Sequence, residues 1–138
     1  MRLFAYGTLR VPEVLEIVAG RRFGAEPARL EGFRCSALVG VVYPAVLPAP
    51  GATTGGVVYA GLDAAAVARI DRFEGDLYER RALSVALASG AHCEALVYVL
   101  RPEHFVLATD AGWDLQAFRG RHLRDYLASC RAFVRELT

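Results

Sequence analysis

Apolar positions recur along this chain in two rhythms, and the switches between them mark out its elements. Leu3-Phe4-Ala5-Tyr6 is a short continuous apolar run that reads as a buried strand, stopped by Gly7. Pro12 suits the first turn of a helix over Glu13 to Ala19, and Gly20 is its natural stop. Between Ala28 and Val42, Leu30, Phe33, Leu38 and the run Val39-Gly40-Val41-Val42 predict one or two strands with a bend near Glu31-Gly32. The segment from Pro44 to Gly56 carries Pro44, Pro48, Pro50, Gly51, Gly55 and Gly56, a composition that predicts an extended loop rather than a central strand.

Strand character returns from Gly56 to Gly61. Asp63 then fits the N-cap of a helix whose apolar residues Val67, Ile70 and Phe73 recur every three positions, with Gly75 closing it. Ala82 to Ala88 and His92 to Leu100 alternate as an antiparallel pair joined across Ser89-Gly90-Ala91. After an irregular stretch from Arg101 to Trp113, Asp114 caps a last helix with Leu115, Phe118, Leu123, Tyr126, Leu127, Cys130 and Val134 near one stripe, which Gly120 kinks or splits. The order strand, helix, strands, helix, hairpin, helix predicts an α+β fold, and 138 residues fit one domain over 1–138.

Composition narrows the function classes. Lys plus Arg number 16 against 15 Asp plus Glu, so the formal charge of +1 supplies no overall field for nucleic acid or an anionic membrane. The arginines of the last helix, Arg119, Arg121, Arg124, Arg131 and Arg135, read as a solvated helix surface rather than an interaction patch. No apolar stretch approaches the roughly 20 residues of a transmembrane helix, and the N-terminus has no secretory signal pattern. The positive mean hydropathy of +0.28 therefore reflects a well-filled core. The three cysteines, Cys35, Cys93 and Cys130, cannot all pair and are too widely spaced for a zinc knuckle, so they are expected to be reduced, in a cytoplasmic protein.

Several common catalytic signatures are missing: a phosphate loop, a dinucleotide fingerprint, a nucleophile elbow and a paired-histidine zinc helix. His92, His104 and His122 are scattered, which predicts no metal site. His92 and Cys93 are adjacent in a strand, where their side chains point to opposite faces and cannot form a nucleophile–base pair. Two local features remain. Glu74 lies between Phe73 and Gly75 at the end of a helix, where burial would lift its pKa toward the range for acid–base work near neutral pH, with Asp71 one turn earlier able to push it further. The alternative is that Asp71 and Glu74 form the polar side of an amphipathic helix. Tyr6-Gly7-Thr8-Leu9-Arg10 is a strand running into a tight turn and a helix start, either a plain connection or a place where backbone N–H groups bind a carboxylate or oxyanion.

Tyr6-Gly7-Thr8-Leu9, and then Asp71-Arg72-Phe73-Glu74-Gly75 followed by Tyr78 and Arg80, resemble the gamma-glutamylcyclotransferase-like, or AIG2-like, family in order and spacing. Tyr43-Pro44, Gly56-Val57-Val58-Tyr59 leading to Leu62-Asp63, Ala95-Leu96-Val97-Tyr98 and the opening Trp113 to Phe118 extend the resemblance over nearly the whole chain. It implies a small mixed, barrel-like β-sheet flanked by helices, with the Tyr6 to Leu9 loop and Glu74 converging on one pocket. It also implies cleavage of a γ-glutamyl amide by its own α-amino group, releasing 5-oxoproline and an amine, without cofactor or metal. In that chemistry Glu74 would be general base and then general acid, the backbone of Gly7, Thr8 and Leu9 would hold substrate, and Tyr6 would shape the pocket. Tyr78 and Tyr98 match family tyrosines, as pocket groups or as core tyrosines, and Arg80 would pair with Asp71 or Asp76. The turn Gly-Thr-Leu is closest to the γ-glutamylamine-directed branch. The substrate would be a small γ-glutamyl molecule; the competing reading is a non-catalytic module that keeps the pocket for a small ligand.

Overall fold

The computed structural model describes residues 1–137. Five strands close into a mixed barrel in the order β1-β3-β2-β4-β5, with β3 also meeting β5. They are β1 (Leu3–Ala5), β2 (Ala25–Ala37), β3 (Pro44–Tyr59), β4 (Tyr78–Leu87) and β5 (His92–Leu100). Four α-helices accompany them: α1 (Pro12–Ala19), α2 (Ala64–Glu74), α3 (Leu115–Arg121) and α4 (Leu123–Leu137). The barrel flanked by helices is the α+β architecture expected from the order of elements and from the resemblance.

The helix boundaries follow local chemistry. Pro12 occupies the start of α1, and Gly20 ends it with φ 94° in the left-handed region that a side chain disfavours. Asp63 caps α2 by accepting from the Ala66 N–H at 2.8 Å, and Asp114 caps α3 by accepting from the Gln116 N–H at 3.0 Å. The last helical segment breaks at His122, two residues after Gly120, so α3 and α4 are separate helices.

Two expectations change. The Pro- and Gly-rich stretch from Pro44 to Gly56 is not a loop but most of β3, the longest strand at 16 residues. Pro44 to Pro48 pairs with Ala37 to Phe33, and Thr53 to Tyr59 pairs with Glu31 to Ala25, so residues 49–52 oppose only Gly32. Pro50 and Gly51 sit in that bulge, and Pro48 and Pro50 are exposed where no second neighbour demands an N–H. The prolines thus mark an irregularity within a strand rather than its absence. Conversely, Val39-Gly40-Val41-Val42 is a turn between β2 and β3, not a strand, and leaves Val39 and Val41 exposed.

Apolar residues fill both faces of the sheet. Phe4, Tyr6, Leu30, Val46, Val58, Val85, Ala95, Val97 and Val99 pack inside the barrel. Leu3, Ala5, Tyr98 and Leu100 point the other way, into a second core shared with Val14, Leu15 and Val18 of α1, Val67 and Ile70 of α2, and Cys130 of α4. The period-two alternation of β1 and β5 therefore serves two cores at once.

Closure of the barrel relies on one glycine. A Cβ on Gly56 would lie 2.3 Å from the Ala5 carbonyl oxygen and 2.9 Å from Phe4 Cζ, whereas Gly55 has open space. Gly56→Ala should cost about 1–3 kcal/mol of unfolding free energy through overpacking. Gly55→Ala should stay within about 0.5 kcal/mol of wild type. Urea denaturation of the pair checks this, and equal effects would mean that β1 does not approach β3 so closely.

Candidate active site

At one end of the barrel a cavity of about 240 Å³ opens between the sheet and the helices. Tyr6, Gly7, Thr8, Leu9, Glu74, Tyr78 and Tyr98 all line it, whereas Asp71 and Arg80 do not. They arrive from four places in the chain: the turn after β1, the end of α2, the start of β4 and β5. The chain leaves β1 through Tyr6, turns at Gly7 and winds into a 3₁₀ turn over Thr8–Arg10. That turn's first bond runs from the Arg10 N–H to the Gly7 carbonyl at 3.0 Å, so the N–H groups of Gly7, Thr8 and Leu9 lie ahead of it and are not used by it. Gly7 packs against the Pro44 ring, where a Cβ would come within 2.9 Å of Cγ.

Glu74 is the last residue of α2, and Gly75 then turns the chain with φ 68° into a 3₁₀ turn leading to Tyr78. Among the described residues it is the only acid on the cavity wall, and no arginine or histidine joins it there. Desolvation by burial pushes its carboxyl from the ordinary 4.5 up to about 8, and is the only cause of that shift. Asp71 does not contribute to it. Its carboxylate is held by the Tyr98 hydroxyl, which donates to Oδ1 at 2.7 Å, and by Arg80, which donates to Oδ2. Arg80 therefore pairs with Asp71 rather than Asp76 and is not on the cavity wall.

The tyrosines are pocket residues and satisfied structural residues at once. Tyr6 donates its hydroxyl to the Tyr98 carbonyl at 2.6 Å, and Tyr78 donates to the Pro44 carbonyl at 2.6 Å. Burial drives the phenols of Tyr6, Tyr78 and Tyr98 well above their usual value, so all three stay protonated. With their protons engaged inside the protein, they offer a ligand ring faces and lone pairs rather than free donors.

Other wall residues were not picked out by sequence reasoning. Tyr126, Ser129, Cys130 and Phe133 of α4 line the cavity, as do Tyr43 and Phe73. The four on α4 are spaced i, i+3, i+4 and i+7, one helical face. The signal was present, but a stripe containing Tyr126 and Cys130 reads equally well as core. Tyr126 and the Thr8 hydroxyl share a hydrogen bond of 3.1 Å, which ties α4 to the turn after β1. Burial raises the Cys130 thiol to about 11, which leaves it un-ionised. No group of three potential metal ligands gathers among the described residues, and no helix there is long and apolar enough to cross a membrane.

A family model described as gamma-glutamyl cyclotransferase, AIG2-like, matches residues 3–115. The chain belongs to that family. AIG2-like protein D of Arabidopsis thaliana is 26% identical over 139 residues, covering 98% of this chain and 90% of the relative. A solution structure from Arabidopsis thaliana superposes with a TM-score of 0.70 at 24% identity, over 96% of this chain and 81% of that one. The crystal structure of an AIG2-like protein from Mus musculus gives a TM-score of 0.63 at 24% identity, over 86% and 91%.

The elevated carboxyl has a consequence for stability. Between about 4.5 and about 8 the folded protein keeps a proton on Glu74 that the unfolded chain has lost, so this group's contribution falls as pH rises through that window. The slope is up to about 1.4 kcal/mol per pH unit. Glu74→Gln should therefore raise the melting temperature at pH 8.5 and leave it nearly unchanged at pH 4. Parallel melting curves for the two proteins across that range would show that the carboxyl is not desolvated.

Proposed function

We propose that this protein is a cyclotransferase acting on γ-glutamyl amides of small amines, with Glu74 as its acid–base residue. The observation that carries the reading is a lone carboxyl on the cavity wall whose pKa is lifted to about 8 by burial. Such a group can accept and return a proton near neutral pH without a metal or a second acid.

In this reading the γ-glutamyl group enters the buried end of the cavity. The carboxylate form of Glu74 takes a proton from the substrate's α-ammonium, and the freed amine attacks the γ-carbonyl carbon. A carbon–nitrogen bond forms to close the five-membered ring, and negative charge develops on the carbonyl oxygen. The N–H groups of Gly7, Thr8 and Leu9, which the 3₁₀ turn does not use, are the donors for that oxygen or for the α-carboxylate, on a wall where Thr8 and Leu9 are buried. Glu74 then returns its proton to the amide nitrogen as the original carbon–nitrogen bond breaks, and the second proton of the attacking nitrogen passes through Glu74 to the departing amine, giving 5-oxoproline and an ammonium product. Because nucleophile and carbonyl belong to one molecule, holding the substrate curled is the larger part of the work. The rings of Tyr6, Tyr78 and Tyr98, fixed by their own hydrogen bonds, are suited to that role.

5-Oxoproline release from γ-glutamyl amines, γ-glutamyl amino acids and glutathione tests the proposal. Glu74→Gln should lower kcat/KM by about 10²–10⁴-fold. For wild type, kcat/KM should climb about tenfold per pH unit up to about 8, where the free enzyme's Glu74 becomes ionised, and then flatten. A folded protein that binds 5-oxoproline but turns over none of these amides would be a binding module instead.

A further inference from the structure

The cavity is strongly asymmetric. Its inner wall is buried: Tyr6, Thr8, Pro44, Tyr78 and Tyr98 are all sequestered from solvent. Its outer rim is partly or fully exposed and comes from Tyr43, Phe73, Tyr126, Ser129 and Phe133. Phe73 packs edge-on against both Tyr126, at 6.2 Å between ring centroids, and Phe133, at 5.6 Å. These aromatic rings therefore stand beside Glu74, on the side where a group leaving the cavity would pass.

Three of the rim residues lie on α4, which follows the stretch 3–115 that the family model matches. The matched stretch supplies Glu74, the turn after β1 and the inner tyrosines, whereas α4 supplies much of the mouth. Among the described residues the mouth is also uncharged. Arg131 influences the neighbouring Cys130 thiol, but it is exposed and does not line the cavity.

Building on the cyclotransferase reading, we propose that Tyr126, Ser129 and Phe133 of α4, with Phe73 and Tyr43, set leaving-group specificity by accepting alkyl or aryl amines and disfavouring amines that bear a carboxylate. The γ-glutamyl half is common to all substrates of this reaction class and occupies the buried end. The variable half extends into the mouth, where flat apolar rings provide contact area for a hydrocarbon amine. A carboxylate there loses part of its hydration and finds no cation on the wall in return.

Two matched comparisons isolate the effect. γ-Glutamylphenethylamide and γ-glutamylphenylalanine differ only by the leaving group's carboxylate, and γ-glutamylethylamide lacks the phenyl ring. Wild-type kcat/KM should be about tenfold or more higher for the phenethylamide than for either of the others. Ser129→Arg places a cation at an exposed position of the mouth and should shrink the phenethylamide-to-phenylalanine ratio severalfold. Phe133→Ala should shrink the phenethylamide-to-ethylamide ratio, chiefly through KM for the aromatic substrate. Equal turnover of the three substrates by wild type, or ratios that neither substitution moves, would overturn the assignment of α4 while leaving the cyclotransferase intact. No 5-oxoproline from any of the three would overturn both.

Discussion

A strand of three residues holds the molecule together. β1 inserts between β3, with which it runs antiparallel, and β5, with which it runs parallel, and so closes the barrel. It must approach β3 more closely than any side chain at Gly56 would permit. Its alternation sends Phe4 inward and Leu3 and Ala5 toward the helices, so both cores depend on its register. Its exit also fixes the site, because the next residues, Tyr6 to Leu9, form one wall of the cavity. Barrel closure and pocket construction are thus one event in this fold.

The cavity walls are then fastened by tyrosine hydroxyls reaching across long sequence distances. Tyr6 bonds to the Tyr98 carbonyl, Tyr59 to the Leu9 carbonyl at 2.7 Å, and Tyr78 to the Pro44 carbonyl. Each joins one element's backbone to another's side chain, so the turn after β1, the start of β3 and the strand β5 cannot drift independently. Such rigidity matters because a desolvated carboxyl opposes folding above its ordinary pKa, and packing elsewhere must offset it. Asp71 illustrates the contrast: it is also partly buried, yet Tyr98 and Arg80 occupy its oxygens, and it serves as an anchor for a wall residue.

Much of this was legible in the sequence because local chemistry agreed with the final structure. Pro12, Gly20, Asp63, Gly75 and Asp114 mark helix boundaries through backbone geometry and caps that need no tertiary partner. Phe73-Glu74-Gly75 pointed to a carboxylate at a helix end, and the Tyr-Gly-Thr-Leu turn pointed to open N–H groups. What the spacing did not contain was desolvation of Glu74, because that depends on α4 and the barrel covering the end of α2. The extent of β3 is hidden in the sequence for a similar reason. Whether a proline interrupts a strand depends on which neighbour would have used its N–H, and that is decided by the bulge opposite Gly32.

α4 shows the same limit from the other side. Its stripe was visible, and Cys130 is indeed buried with only 1% exposure. A hydrophobic face does not, however, declare whether it meets protein along its whole width. Here one edge of the face packs on the core while Tyr126, Ser129 and Phe133 look onto the cavity. The hydrogen bond between Tyr126 and Thr8 makes the helix part of the site rather than a cover laid over it. Glu74 and the inner wall come from α2 and the barrel with the turn after β1, and much of the exposed rim comes from a helix that follows the stretch matched by the family model. Substitutions on that helix face can therefore reshape the mouth while leaving β1 and the Tyr6, Tyr59 and Tyr78 tethers in place.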